Sequence, residues 1–487
     1  MAKEKKYIRH FLVIGGGTMA NMLIALITTP LITRLADPRE YGQLSIFTMY
    51  AGIAEMFLCL GLDQALVRYY YENNSVDEKR GLLLQCIMLP VIVTCLCGVI
   101  FVLFVAGKIV DFDFNLYYTV WLAICVLIQI VNRFSFLCLR LEYKSKAYSF
   151  LRIFTKLSYL ALVAIPAVLV KNHFLNILVV ATVLSTAICT AIGVFLQSNL
   201  WKFHKNDIHA CRTSMRDLLV YALPFIVSTG VTQIFQALDK ISLNMYRTYD
   251  EVGVYASTMT LVNIFNIVQV TFNALWGPIQ VEHFTKNPED HTLYQKGNQI
   301  ITVIMFFIGI SLILVKDIFA ILLGEKYREA AYILPFLIFS PIMYTISETT
   351  NGGLVFMKKS NMQVVVAVVA CLANLIGNTI LVPELGCQGA AISTGLSYIV
   401  FFTVRTVLSN RYYYTNFRLK SFYLLTFATG VYAFYNTFNQ FSWLSIVGYI
   451  VCLGFIIILY DETVKWMLDY VKQNSKAIIA GFVCEDN

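Results

Sequence analysis

Charge is what this sequence has least of. Only 14% of its 487 residues are Asp, Glu, Lys or Arg, whereas 58% are hydrophobic; an ordinary soluble protein carries roughly 25% charged residues. Long polar stretches are also missing. Apolar runs of about 20 residues recur from Phe11 to Tyr460 with short interruptions, which excludes a soluble catalytic domain and marks an integral membrane protein. Disulfide spacing is absent: most of the 12 cysteines, among them Cys59, Cys86, Cys95, Cys97, Cys125, Cys138 and Cys189, fall inside apolar stretches as small hydrophobes. Metal spacing is absent as well, since His204, His209, His283 and His291 form no His-x-x-x-His or paired-Cys pattern. No cofactor is expected. Gly15–Gly17 lacks the Lys-Ser/Thr of a phosphate loop, so close helix packing explains it. Asp111–Asp113 resembles the Asp-x-Asp of nucleotide-sugar transferases but falls in a short outer loop, where it reads as a solvated turn.

What remains is a chain of spans. The basic start MAKEKKYIRH leads into an apolar stretch too long for a signal-peptide core, and it reads as a retained first span. About fourteen helices follow from the hydropathy, at 11–33, 41–62, 82–106, 116–138, 150–170, 174–197, 218–246, 252–280, 299–322, 330–356, 361–382, 387–408, 421–438 and 443–460. If both termini are cytoplasmic, the inner segments hold most of the basic residues, including Arg68, Arg80, Arg140, Arg152 and Arg405. The outer segments hold few, such as Arg34 and Arg247. That asymmetry obeys the positive-inside rule and places the excess charge near anionic lipid, which argues against nucleic acid as a partner.

The sequence also repeats itself. RLADPREYGQLSIF, after the first span, is echoed by YRTYDEVGVYASTM, after the seventh, 211 residues later. Six helices intervene, so the halves run in the same direction, as two parallel six-helix lobes around a central cavity. The expected division is 1–200 and 201–410 for the lobes and 411–487 for two additional helices and a tail. Pro383 and Gly386 end a further outer hairpin.

Polar residues inside the spans keep helical spacing and imply wet faces. Asn21 lies on the first span, Gln233, Gln236 and Lys240 on the seventh, Asn263, Asn266 and Asn273 on the eighth, and Tyr344 with Glu348 on the tenth. Arg133 and Lys156, at similar depth on the fourth and fifth spans, make a site for an anion; the bland alternative is a basic fringe that contacts lipid phosphates. Arg34 and Lys240 form a second cationic station, unless Lys240 merely snorkels to the headgroups. Glu55, Asp239 and Glu348 are candidates for ion coupling by H⁺ or Na⁺, with the alternative that Glu55 and Glu348 are internal partners for the buried cations. Asp63, close to Arg68, reads as interfacial.

PLITRLADPREYGQLSIF, GLDQALVRYYYE, ALDKISLNMYRTYDEVGVYASTMTL, ALWGPIQVEHF, GEKYREAAYILPFLIF and NLIGNTILVPELGCQGAAISTGLSY together resemble the polysaccharide transporter branch of the multidrug/oligosaccharidyl-lipid/polysaccharide exporter superfamily, over residues 11–408. The resemblance implies a multi-pass protein of the bacterial cytoplasmic membrane and no enzyme. It implies alternating access by two lobes that moves an undecaprenyl-pyrophosphate-linked oligosaccharide outward for O-antigen, capsule or teichuronic-acid assembly. Asp239 and Lys240 match the family's acidic-basic pair. A monomer is expected, with membrane lipids, a polysaccharide polymerase and chain-length machinery as partners. A multidrug cation antiporter of the same fold is the alternative, but it wants a cavity dominated by carboxylates and aromatics. A membrane-embedded transferase or polymerase needs convergent His, Asp or Glu at one face, and the sequence offers none.

Overall fold

A computed structural model describes residues 2–110, 112–169, 174–204, 207, 211, 213–470 and 472, with side chains at all of these except 2–12, 14, 18, 167–169, 266 and 360. All regular structure among them is helical. The chain forms two compact units by contact, residues 1–264 with 323–326, and residues 265–322 with 327–487.

The first unit holds α1 (Ala2–Leu35), α2 (Pro38–Leu58), α3 (Leu62–Tyr69), α4 (Val76–Ala106), α5 (Leu116–Leu141), α6 (Ser145–Leu169), α7 (Phe174–Phe195), α8 (Ser198–Trp201), α9 (Met215–Tyr246) and α10 (Tyr249–Val262). Short polar side chains start several of them. Ser75 accepts from the Glu78 amide and Asn115 from the Tyr118 amide, satisfying donors that a helix start leaves bare. Ser214 and Thr248 do the same for Asp217 and Glu251. The second unit holds α11 (Asn266–Lys286), α12 (Thr292–Leu314), α13 (Lys316–Leu323), α14 (Ala330–Leu337), α15 (Phe339–Thr350), α16 (Gly352–Phe356), α17 (Ser360–Tyr412), α18 (Leu419–Phe438) and α19 (Trp443–Leu459). Fully buried Lys316 donates to the Asn439 carbonyl at 3.0 Å, tying the C-terminal end of α18 into this unit.

Among the described residues, ten helices are long and apolar enough to cross a membrane, or twelve if each bent pair is one span. The fourteen expected from hydropathy are not reached by this count, for two reasons. Leu419–Phe438 is not among the ten, and the runs 361–382 and 387–408 join in α17. Yet α17 is no straight rod. Gly386, at φ 55° and ψ −131°, turns the chain where L side chains are strained, and the Ser393 hydroxyl on the second leg donates to the Asn374 carbonyl on the first at 3.0 Å. The legs pair as the hairpin that Pro383 and Gly386 announce.

Two other breaks were not legible. The expected span 41–62 bends by 54° between α2 and α3, where Leu60 and Gly61 both take positive φ. The expected span 252–280 is interrupted by a 3-10 turn at Asn263–Phe265. Asp113, expected in a solvated turn, is exposed, but it also accepts hydrogen bonds from Tyr50 at 3.0 Å and Asn244 at 2.9 Å. Asp111 lies outside the described residues.

Between α8 and α9, Asp207 accepts from the Arg80 guanidinium at 3.3 Å and from the His204 amide at 2.7 Å. Burial raises its carboxyl pKa, but the His204 amide and the Arg80 guanidinium outweigh this and hold it below the ordinary value. A depressed folded pKa means that the contact stabilises above the ordinary carboxylate range and is lost as pH falls through the folded value. Asp207→Asn should therefore make segment 202–214 more sensitive to protease at neutral pH than it is in the unsubstituted protein, whose contact is lost only below the ordinary carboxylate range. Limited proteolysis across pH measures both.

Candidate functional site

The spacing that marks Arg133 builds the site. Gln129, Arg133, Phe136 and Arg140 follow one face of α5 at intervals of three and four. With Arg152 and Lys156 of α6, Asn21 of α1 and Glu55 of α2, they line a cavity of about 560 Å³ within the first unit. Asn21, Glu55, Arg133 and Lys156, singled out from the sequence, thus share one chamber.

Arg133 is already engaged there. Its Nη1 donates to Glu55 at 3.2 Å, its Nη2 to Asp63 at 2.8 Å, and its Nε to the same Asp63 oxygen at 3.0 Å. Glu55 is therefore an internal partner of Arg133, the alternative that the sequence left open. Asp63, read from the sequence as interfacial, is 4% exposed and also lines the cavity. In an unbroken helix Glu55 and Asp63, eight residues apart, would lie about 12 Å from each other along the axis. The bend at Gly61 folds α3 so that both reach one guanidinium.

The cations left over are Arg140, Arg152 and Lys156. Among the described residues no carboxylate forms an ion pair with any of them; Arg152 lies 5.3 Å over the Tyr148 ring. Four cationic side chains thus face the cavity against two carboxylates, both spent on one arginine. The chamber also holds two buried side-chain oxygens without a partner among the described residues, Asn21 Oδ1 and Gln129 Oε1. Such groups gain most from a ligand that brings hydrogen-bond donors. In the sequence Arg140 and Arg152 share the helical stripes of Arg133 and Lys156, but their place near span ends gave them to the cytoplasmic fringe.

The remaining candidates lie elsewhere. Arg34, Lys240, Gln233, Gln236 and Asn263 do not line this cavity. Arg34, Gln236 and Asn263 are exposed, and Lys240 and Gln233 half-buried. Asp239 is buried and accepts from the Tyr255 hydroxyl at 2.5 Å. Asn273, in the second unit, has a buried oxygen without a partner among the described residues; the side chain of Asn266 lies outside them.

Tyr344 and Glu348 meet in the second unit. Arg405, 6% exposed, donates to Glu348 at 2.8 Å and to Ser347 at 2.7 Å, with its guanidinium 5.7 Å from the Tyr344 ring centre and 5.5 Å from that of Phe401. Glu348 also accepts from Asn351 at 3.0 Å. This carboxylate, too, is an arginine's internal partner.

With this geometry in hand, likeness to other proteins becomes informative. The chain is 23% identical over 394 residues to the uncharacterized membrane protein MJ1068 of Methanocaldococcus jannaschii, covering 76% of each chain. It is 25% identical over 201 residues to the probable low-salt glycan biosynthesis flippase Agl15 of Haloferax volcanii, covering 40% of this chain and 42% of that one. Its fold is similar to that of the lipid II flippase MurJ in an inward closed conformation, with a TM-score of 0.68, 12% identity, and coverage of 94% of this chain and 99% of the other. A family model described as "Polysaccharide biosynthesis protein" matches residues 8–281, more than half of the chain. The protein therefore belongs to the polysaccharide biosynthesis protein family, in the polysaccharide transporter branch that its sequence resembles.

Proposed function

We propose that this protein is a flippase that moves an undecaprenyl-pyrophosphate-linked oligosaccharide across the bacterial cytoplasmic membrane by alternating access, for O-antigen, capsule or related surface glycan. The observation that carries this reading is the cavity of the first unit. Arg140, Arg152 and Lys156 have no carboxylate partner there among the described residues, so an anion entering it meets positive charge that is not already neutralised. Asn21 and Gln129 supply acceptors for hydroxyl or amide donors of a sugar next to the phosphates. The multidrug alternative fares worse, because Glu55 and Asp63 are both committed to Arg133 and leave an organic cation no free counter-charge.

In this reading both termini face the cytoplasm, the pyrophosphate lies against Arg152, Lys156 and Arg140, and Arg133 holds the floor. Coupling to H⁺ or Na⁺ acts through Glu55, since neutralising or shielding it releases one of the two carboxylates that hold Arg133.

Arg140→Gln with Arg152→Gln tests it. Both side chains are exposed, so the double variant should accumulate normally. Each charge-assisted contact is worth about 1.5–3 kcal/mol, so pyrophosphate binding to the purified protein should weaken by about a hundredfold or more and surface glycan should be lost. Undiminished glycan in cells that carry the variant as sole copy would refute the site.

A further inference from the structure

A second opening in the first unit has a different chemistry. Between α2, α4 and α5 lies a cleft of about 390 Å³, walled by Ala54, Cys97, Phe101, Ala123 and Val126, and apolar but for Thr94 and the hydroxyl of Tyr50. Its volume falls in the range of small-molecule pockets. The small side chains of Ala54, Cys97, Gly98 and Ala123 make the room, and Phe112 is part of the wall, with its ring centre 5.4 Å from Tyr50 and 5.1 Å from Phe101.

The cleft and the charged cavity follow one another along α5. On α5, Leu122 and Val126 line the cleft, and Gln129, Arg133, Phe136 and Arg140 line the cavity, all at intervals of three and four. One helix face therefore passes from apolar to cationic. Val126 and Arg133 lie about 10 Å apart along the helix axis. On α2, Ala54 faces the cleft and its neighbour Glu55 the cavity.

We propose that this cleft takes the isoprenoid chain of the lipid whose diphosphate head occupies the cavity, so that one unit holds both the head and the first part of the tail. The inference rests on the reading of the cavity as a head-group site. An anionic lipid engages both surfaces at once only if its chain leaves the phosphates along α5 towards Phe112. The two halves of the molecule then reinforce each other's binding, because the second contact is made within one complex. Burial of the chain adds affinity that inorganic pyrophosphate lacks.

Cys97 reports on the cleft directly, since its thiol is exposed and lines the wall, while Cys95, also exposed, does not line it. In the purified full chain, farnesyl diphosphate should slow maleimide labelling of Cys97 at least about fivefold and leave Cys95 unaffected, and inorganic pyrophosphate should protect neither. Cys97→Phe, which fills the opening from an exposed position, should weaken farnesyl diphosphate binding by about tenfold and leave pyrophosphate binding unchanged. Equal labelling of Cys97 with and without farnesyl diphosphate, while pyrophosphate still binds, overturns the cleft assignment. Loss of pyrophosphate binding in Arg140→Gln/Arg152→Gln, with Cys97 still protected by farnesyl diphosphate, separates a tail site from its head. If neither ligand binds the unsubstituted protein, both assignments fall.

Discussion

Arg133→Met should lower the stability of the protein by about 3 kcal/mol, at the lower end of what breaking a buried ion pair costs. The reason is what it leaves behind. Asp63, with its side chain 5% exposed, loses both hydrogen bonds from the guanidinium, and Glu55, 19% exposed, loses its partner. Two carboxylates then face each other without a cation between them. Arg133 itself is 34% exposed, so water screens part of the loss and the upper end of the range is not reached. Removing the acids as well should reverse the effect: Arg133→Met with Asp63→Asn and Glu55→Gln should recover most of the stability, because no uncompensated charge remains. Arg133→Lys should fall between, since an ammonium cannot present the planar fork that serves Glu55 and Asp63 together. Unfolding midpoints in detergent, followed by tryptophan fluorescence, rank the variants. An Arg133→Met protein as stable as its parent would show that the pair is not structural. The same reasoning makes Arg140 and Arg152 better probes of transport than Arg133, whose loss confounds folding with function.

The relation of sequence to site follows from how each residue finds its place. Arg133 and Lys156 were legible because a helix repeats every three to four residues and consecutive spans are neighbours, so two cations at one depth fall into one chamber. Asp63 was not legible. Its approach to Arg133 depends on a bend made by Leu60 and Gly61, and a glycine in an apolar run gives no sign of which way the chain will turn. Arg405 was hidden by a boundary. Arg405 lies three residues inside the expected span end at 408 and was counted with the cytoplasmic basic residues, whereas α17 continues to Tyr412 and leaves it among Ser347, Glu348 and two aromatic rings. Arg140 and Arg152 have the charge and position of a cytoplasmic fringe, and only coordinates distinguish a fringe from the mouth of a cavity. The hairpin at Pro383 and Gly386 was legible because both residues act on the backbone itself.

Gly42→Val should cost at least about 3 kcal/mol and abolish glycan export, and Gly253→Val should do the same. These glycines occupy equivalent places in the two repeated segments, after Glu40-Tyr41 and Glu251-Val252, and α2 packs directly on α10 where they lie. A Cβ at Gly42 would sit 1.9 Å from the Tyr249 carbonyl oxygen, and one at Gly253 would sit 1.9 Å from that of Pro38. Each glycine thus meets the carbonyl four residues before the other, which is the contact expected of two copies of one motif related by an approximate two-fold axis. Because the obstacles are main-chain oxygens, no rotamer change relieves them; the helices must separate. Separation loosens the packing around buried Leu44, Ile46, Val252 and Tyr255. Gly430→Ala, where a Cβ meets nothing within 4 Å, should by contrast leave stability unchanged or raise it by up to about 1 kcal/mol. Protein accumulation, thermal midpoint and surface glycan, measured together on these three variants, separate a failure of α2 and α10 to pack from a general intolerance of larger side chains. If Gly42→Val matched Gly430→Ala in all three, backbone contact between the repeats could not be what holds this helix pair.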